Sequence, residues 1–205
     1  MKKFRLLCIA GFAAIGLSTT ASAQFYVGAG VGASKASGAD GSTTIGGVAV
    51  SASGGNATKT SWKLYGGYQF TPNWGLEAQY SELGDRTYTV SAGAASGSTK
   101  LRAYQWSLAG TGTLPLSDQF YLMAKLGATR NHVGGGNFTV GAVSVAVGGS
   151  DRTELLAGIG AGYNINKNVG VRVEYENFGK LSNNGGINNS SVKGDNWSVS
   201  LKYSF

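Results

Sequence analysis

Residues 196–205 read NWSVSLKYSF. Trp197, Val199, Leu201, Tyr203 and Phe205 are apolar, and Asn196, Ser198, Ser200, Lys202 and Ser204 between them are polar. Strict alternation of this kind describes a β-strand with one apolar and one polar face. Chain ends are usually frayed and polar. This segment instead holds strand character up to a phenylalanine, as expected if its backbone must stay paired to the last residue.

The same pattern recurs upstream. The most regular instance is VGVRVEYENF, 169–178, with Val169, Val171, Val173 and Tyr175 on one face and Gly170, Arg172, Glu174 and Glu176 on the other. Eight such segments are expected, at about 24–35, 60–70, 74–85, 100–114, 119–131, 152–165, 169–180 and 195–205. Composition agrees. The 205 residues include 34 Gly and only 2 Pro, and charged residues make up 13%. Ser, Thr, Val and Tyr are abundant, which favours strands, and scarce proline suits a chain that is mostly hydrogen-bonded sheet.

Connections between the segments fall into two classes. Those at 71–73 (TPN), 115–118 (PLSD) and 166–168 (NKN) are tight. Those at about 36–59, 86–99, 132–151 and 181–194 are long and rich in Gly, Ser, Ala and Asn. In an up-and-down antiparallel sheet, alternate connections share an end. All short turns therefore lie at one end and all long loops at the other, the pattern of an outer-membrane barrel.

A soluble up-and-down barrel is the competing fold, and the aromatics argue against it. On the apolar faces, Phe25, Tyr68, Phe70, Trp74, Phe120, Tyr163, Tyr203 and Phe205 fall near the short-turn end. Trp62, Tyr80, Tyr104, Trp106, Tyr175 and Trp197 fall near the long-loop end. Aliphatic and small residues lie between. Two aromatic bands around an aliphatic belt match the two interfaces of a bilayer, where Trp and Tyr meet both hydrocarbon and water. The expected fold is thus all-β: an eight-stranded antiparallel up-and-down transmembrane barrel, with its apolar face toward lipid. Lipid cannot satisfy free backbone groups, so the first and last strands, from Tyr26 and from Asn196, must close against each other.

The N-terminal residues MKKFRLLCIAGFAAIGLSTTASAQ combine basic Lys2, Lys3 and Arg5, an apolar run from Leu6 to Leu17 and the small-residue site Ala21-Ser22-Ala23. This is the pattern of a secretory signal peptide, so residues 1–23 are expected to be removed and 24–205 to form the barrel domain. Cleavage removes Cys8, the single cysteine, and three of seventeen basic residues, leaving fourteen against ten acidic ones, a net +4. No basic helix or run of basic residues points to nucleic acid.

The stretches QFYVGAGVG (24–32), WKLYGGYQFTPNWGLEAQYSELGD (62–85) and LAGIGAGYNINKNVGVRVEYENFG (156–179) resemble the OmpA-like family of eight-stranded outer-membrane barrels. The resemblance implies a Gram-negative outer-membrane location, and the chain is expected to be a monomer in contact with membrane lipid and lipopolysaccharide. The resemblance also implies that terminal Phe205, with Tyr203 two residues before it, forms the signal read by the barrel-assembly machinery. Longer family members add a peptidoglycan-binding domain, and wall anchoring is not expected to carry over to this chain.

Barrels of eight strands have interiors just wide enough for side chains to fill. The inward positions carry Lys63, Lys125, Arg172 and Lys202 against Glu77, Glu154, Glu174 and Glu176. Glu154 and Glu176 count as near the loop end. The others, Lys63, Glu77, Lys125, Arg172, Glu174 and Lys202, form the expected interior network. Three readings compete: ion pairing that holds strands in register, a narrow ion or small-solute channel, and acid–base catalysis. Balanced charge favours pairing, because selective pores carry an excess of one sign. The resemblance implies a family charge cluster whose acid matches Glu77 and whose arginine matches Arg172. The family's other basic and acidic positions fall on Thr111 and Gly162, so Lys125, Lys202 and Glu174 are the expected substitutes.

His132, the single histidine, sits in NHVGGGN with no adjacent serine and no evident carboxylate partner. No catalytic, metal or cofactor residues are expected. Among the basic residues at the loop end, Lys59, Lys100, Arg102, Arg130, Arg152 and Lys180 are candidates for lipopolysaccharide phosphate, which Lys and Arg pair well. IGGVAVSASGG (45–55) and VGAVSVAVGG (140–149) share a rhythm suited to hairpins above the membrane. Contact of these loops with host surfaces is the adhesin alternative to a role in envelope integrity.

Overall fold

The structure is a computed structural model that describes residues 24–37, 40–45, 48–53, 57–92, 95–140, 143–147, 149–182 and 192–205. The expected signal peptide, with Cys8, lies outside the described residues.

Eight long strands close a barrel: β1 (Gln24–Ser37), β4 (Lys59–Gln69), β5 (Trp74–Ala92), β6 (Ala95–Pro115), β7 (Phe120–Val133), β10 (Ser150–Asn164), β11 (Val169–Ser182) and β12 (Val192–Ser204). Each pairs antiparallel with the next, and β12 returns to β1. The seam runs from Tyr26↔Ser204 to Ser37↔Lys193. At its base Phe205 donates its backbone N–H to the Phe25 carbonyl at 3.0 Å. The terminal strand is therefore paired to its last residue.

Two short hairpins lie in two of the four long connections: β2 (Gly41–Ile45) with β3 (Val48–Ser53), and β8 (Gly136–Val140) with β9 (Val143–Val147). The expected stretches at 45–55 and 140–149 do contribute to hairpins, in their described residues. β3 also joins the outer end of β5, from Val50↔Ala92 to Ser53↔Thr89. One expectation is overturned. Residues 86–99 form no long loop, because the β5–β6 ladder continues through them to Ala92↔Ala95. The sequence RTYTV (86–90) keeps β-branched and aromatic residues there, and these favour extended chain.

The three short turns share one device. Thr71 Oγ1 accepts the N–H of Asn73 at 3.3 Å and of Trp74 at 3.0 Å. Ser117 Oγ accepts the N–H of Gln119 and Phe120, and Asn166 Oδ1 those of Asn168 and Val169. A short polar side chain bonding its own backbone two and three residues on is what makes Ser, Thr and Asn turn formers.

The barrel is apolar outside and polar inside. Val31, Leu64, Leu108, Leu126, Ile159, Val199 and Leu201 are all exposed, as are Trp62, Trp74, Trp106 and Trp197. A continuous exposed apolar belt is untenable in water and natural in hydrocarbon.

Inward alternation breaks at two glycines. Gly84 has φ +79° and Gly179 φ +62°, a left-handed backbone that glycine adopts freely. Each marks a β-bulge, in β5 between Glu82 and Asp85 and in β11 between Asn177 and Lys180. One extra residue reverses which face later residues occupy. Leu83 points in, and past the bulge so does Arg86. Arg86 falls in the long loop expected at 86–99, among the basic residues counted at the loop end. The structure buries it, with its guanidinium donating to the Ala57 carbonyl and to Ser34 Oγ.

Candidate functional site

The lumen is layered. Near the short turns, Tyr26 and Tyr121 lie across glycines directly opposite them in the ladder, Gly67 and Gly162. A Cβ on Gly162 would stand 2.0 Å from the Tyr121 ring, and one on Gly67 2.3 Å from the Tyr26 ring. These glycines exist to let tyrosines lie flat on the wall. At the loop end, Ala36, Leu83, Ala103, Leu156, Phe178, Leu181 and Val192 form a buried apolar cluster.

Between the layers lies a charge cluster built from four strands. Lys63 Nζ is 2.5 Å from Glu174 Oε2 and 3.2 Å from Glu176 Oε2. Lys125 Nζ is 3.1 Å from Glu77, 2.9 Å from Glu174 and 2.6 Å from Glu176. Arg172 donates through one terminal nitrogen to Glu77 at 2.8 Å and through the other to Glu174 at 2.6 Å. The Tyr26 hydroxyl donates to Glu77 at 3.0 Å, and Lys125 also donates to Gln79. The three cations and three carboxylates are each 4% exposed or less. Buried charges persist when they are paired and hydrogen-bonded, and every charge here meets at least two opposite ones.

The structure brings together five of the six predicted network residues and adds a sixth. Glu176 belongs to the cluster although counting along the chain sets it near the loop end. The cause is stagger. Glu176 opposes Gly158, and Gly158 opposes Lys125, so one ladder row carries Glu176 to Lys125. Strands tilt in a closed barrel, and residue counts from the turns miss that offset. Its signal was the shared parity with Glu174. Lys202 stands apart. Arg172 and Lys125 already hold Glu77, and Lys202 Nζ lies instead 5.1 Å from the Tyr121 ring centroid and 5.8 Å from that of Tyr26. Thr111 opposes Lys125 in the ladder, so Lys125 supplies a cation one strand over from the family's expected basic position. Glu154 pairs with Arg152 outside the cluster.

At the loop end, Lys100, Arg102 and Arg130 are exposed on the outer face, and Lys180 faces outward half-exposed. Arg102 pairs with Glu82, and Arg130 approaches Asp151 at 3.8 Å. Lys59 and Arg152 share the inward parity of Ser61 and Glu154 and flank the mouth of the lumen. His132 does have a carboxylate partner. Its Nδ1 is 2.8 Å from Asp151 Oδ1, and its ring stacks on Tyr104 at 4.6 Å. Asp151 opposes His132 in the ladder, a proximity the local sequence hides. The His132 hydrogen bond, helped by Arg130, holds the Asp151 carboxyl below the usual range.

Tyr203 and Phe205, the expected assembly signal, both face outward, with ring centroids 5.1 Å apart.

Comparison with known proteins agrees with this architecture. The family model described as "Outer membrane protein beta-barrel domain" matches residues 4–205. An uncharacterized protein of Coxiella burnetii (strain RSA 493 / Nine Mile phase I) is 30% identical over 150 residues, which span 61% of this chain and 59% of the relative's length. The chain is similar in fold to Ail, the attachment invasion locus protein of Yersinia pestis, crystallised with the heparin analogue sucrose octasulfate. That match has TM-score 0.54 at 16% identity and covers 90% of this chain and 99% of Ail. Neisserial surface protein A matches with TM-score 0.56 at 16% identity over 88% and 97% of the two chains. OprG of Pseudomonas aeruginosa matches with TM-score 0.51 at 14% identity over 90% and 97%. By sequence and fold the chain belongs to the outer membrane protein beta-barrel family and is an integral protein of the outer membrane.

Proposed function

We propose that this protein is a sealed, non-enzymatic, monomeric barrel that serves envelope integrity and mounts protruding hairpins on the cell surface. One observation carries the reading: the lumen is crossed by a charge-balanced ion cluster whose six members are almost wholly buried. The apolar cluster lies beyond it toward the loop end. An ion moving through would have to displace the paired charges that fill the lumen. Carboxylates saturated by cations are also poor general acids or bases. Proteoliposomes test the reading: ion flux should equal that of protein-free vesicles, and protein-dependent flux would favour the channel.

Surface contact is the second reading, and the β5–β6 ladder favours it. β5 has 19 residues and β6 has 21, whereas crossing a bilayer takes about 9–11. Past the aromatic band the ladder extends by roughly 30 Å at about 3.4 Å per residue. Outward-facing Lys100, Arg102, Arg130 and Lys180 suit lipopolysaccharide phosphate. Because Ail has been crystallised with a heparin analogue, an anionic polysaccharide is the first host-like probe. Cell binding by a variant shortened across 86–99 should fall if the hairpins make contact, and unchanged binding would count against it. Tyr203 and Phe205, outward and exposed, suit recognition by the barrel-assembly machinery.

A further inference from the structure

Three donors on the short-turn side of the ion cluster have no acceptor. Arg172 Nε and the Tyr121 hydroxyl are buried without a hydrogen-bond partner, in side chains 2% and 8% exposed. The third is the Lys202 ammonium, which makes no ion pair among the described residues. The three are neighbours. Tyr121 lies across Gly162, with its Cζ and hydroxyl oxygen nearest that residue, and Gly162 opposes Arg172. Lys202 is two residues along β12 from Ser200, the other ladder partner of Arg172. Its Nζ stands 5.1 Å from the Tyr121 ring centroid, and both Lys202 and Tyr121 lie within electrostatic reach of Arg172.

The local carboxylates are already committed. Glu77 holds Arg172 and Lys125, and Glu174 holds Arg172, Lys125 and Lys63. Three cations and three carboxylates cancel, so Lys202 leaves this part of the lumen with one positive charge in excess. Unpaired buried donors are costly, and the carboxylate acting on Lys202, Glu77, is already shared by Arg172 and Lys125. Water would satisfy the donors and leave the charge. Lys202 is half-exposed while the cluster above it is sealed, so access is from the short-turn end.

We propose that Arg172 Nε, the Tyr121 hydroxyl and Lys202 Nζ form a binding site for one small monovalent anion of chloride size. An eight-stranded lumen is narrow, which suits a small anion, and three neighbouring donors with one surplus charge fit a single negative charge. The ion would complete the short-turn side of the plug.

Bromide tests this through its anomalous X-ray scattering. Crystals of the refolded barrel grown in sodium bromide should show one ion within hydrogen-bond distance of the three donors. In solution, replacing gluconate by chloride at constant ionic strength should raise the urea midpoint. Lys202→Met should abolish both effects. Tyr121→Phe removes one oxygen and keeps the ring on Gly162, so it reads the site even if the lysine variant fails to fold. Bromide affinity should fall about tenfold, the size of one hydrogen bond to a charged group. Absence of bromide from the lumen at saturating salt, retention of the ion in Lys202→Met, or unchanged affinity in Tyr121→Phe would overturn the site.

Discussion

Lys63 on β4 and Glu174 on β11 are joined by a 2.5 Å ion pair although β1 and β12 lie between their strands in the sheet. The bond spans the lumen rather than following the wall. With Lys125 reaching in from β7 and Glu77 from β5, the cluster ties four strands together through the middle of the barrel.

The cost of breaking this tie is measurable. Removing one partner of a buried pair typically costs about 3–5 kcal/mol. Each carboxylate here keeps a second cation, so Arg172→Ala should lower stability to urea by about 3 kcal/mol, toward the lower end of that range. Lys167→Ala, in the exposed turn, should be neutral. Removing Glu77 together with Arg172 should recover part of the loss, because fewer charges are left unpaired. Equal urea midpoints for Arg172→Ala and wild type would refute a structural role for the cluster.

The tyrosine–glycine pairs predict a rescue. In Gly162→Ala the new methyl would meet the Tyr121 ring at 2.0 Å, and overpacking of this kind costs about 1–3 kcal/mol. The three atoms nearest that methyl all belong to Tyr121. Tyr121→Ala should therefore restore folding to the glycine variant, as read by the heat-dependent gel shift. A double variant no better than Gly162→Ala would show that the backbone, and not the ring, demands glycine.

Much of this barrel is legible because alternation is local. Eight strands, their in–out sense below the bulges and the short-turn and long-loop ends all follow from period-two patterns and turn residues. What escapes is whatever depends on long-range geometry. Gly84 and Gly179 reverse the pattern, yet they are two among 34 glycines, and only the backbone shows which ones carry a bulge. Arg86 faces the interior for that reason. Strand stagger put Glu176 into the cluster, and competition with Arg172 and Lys125 for Glu77 left Lys202 out. The pairing of His132 with Asp151 needed the register of β7 against β10.

That pair gives a pH prediction. Asp151 titrates below the usual carboxylate range, chiefly because His132 bonds it. A lowered folded-state pKa contributes stability that is present above the unfolded carboxyl pKa and lost as pH falls through the folded one. In His132→Ala the Asp151 carboxyl should titrate closer to the ordinary range, as followed by carboxyl NMR shifts. An unchanged titration would mean that Arg130 sets it instead.

Topology is tested by labelling. A cysteine at Ser53, exposed on β3 at the loop end, should react with a membrane-impermeant reagent on intact cells. Cysteines at Asn73 or Asn166, in the short turns, should react only after the membrane is opened. The reverse pattern would invert the barrel.

The most direct measurement of the central claim is planar-bilayer recording of the refolded wild-type barrel beside Arg172→Ala. A lumen sealed by paired charges should give no steady current in the wild type, and current should appear when the cluster is broken. Steady conductance from the wild type, unchanged in Arg172→Ala, would contradict the sealed barrel and make the protein a channel.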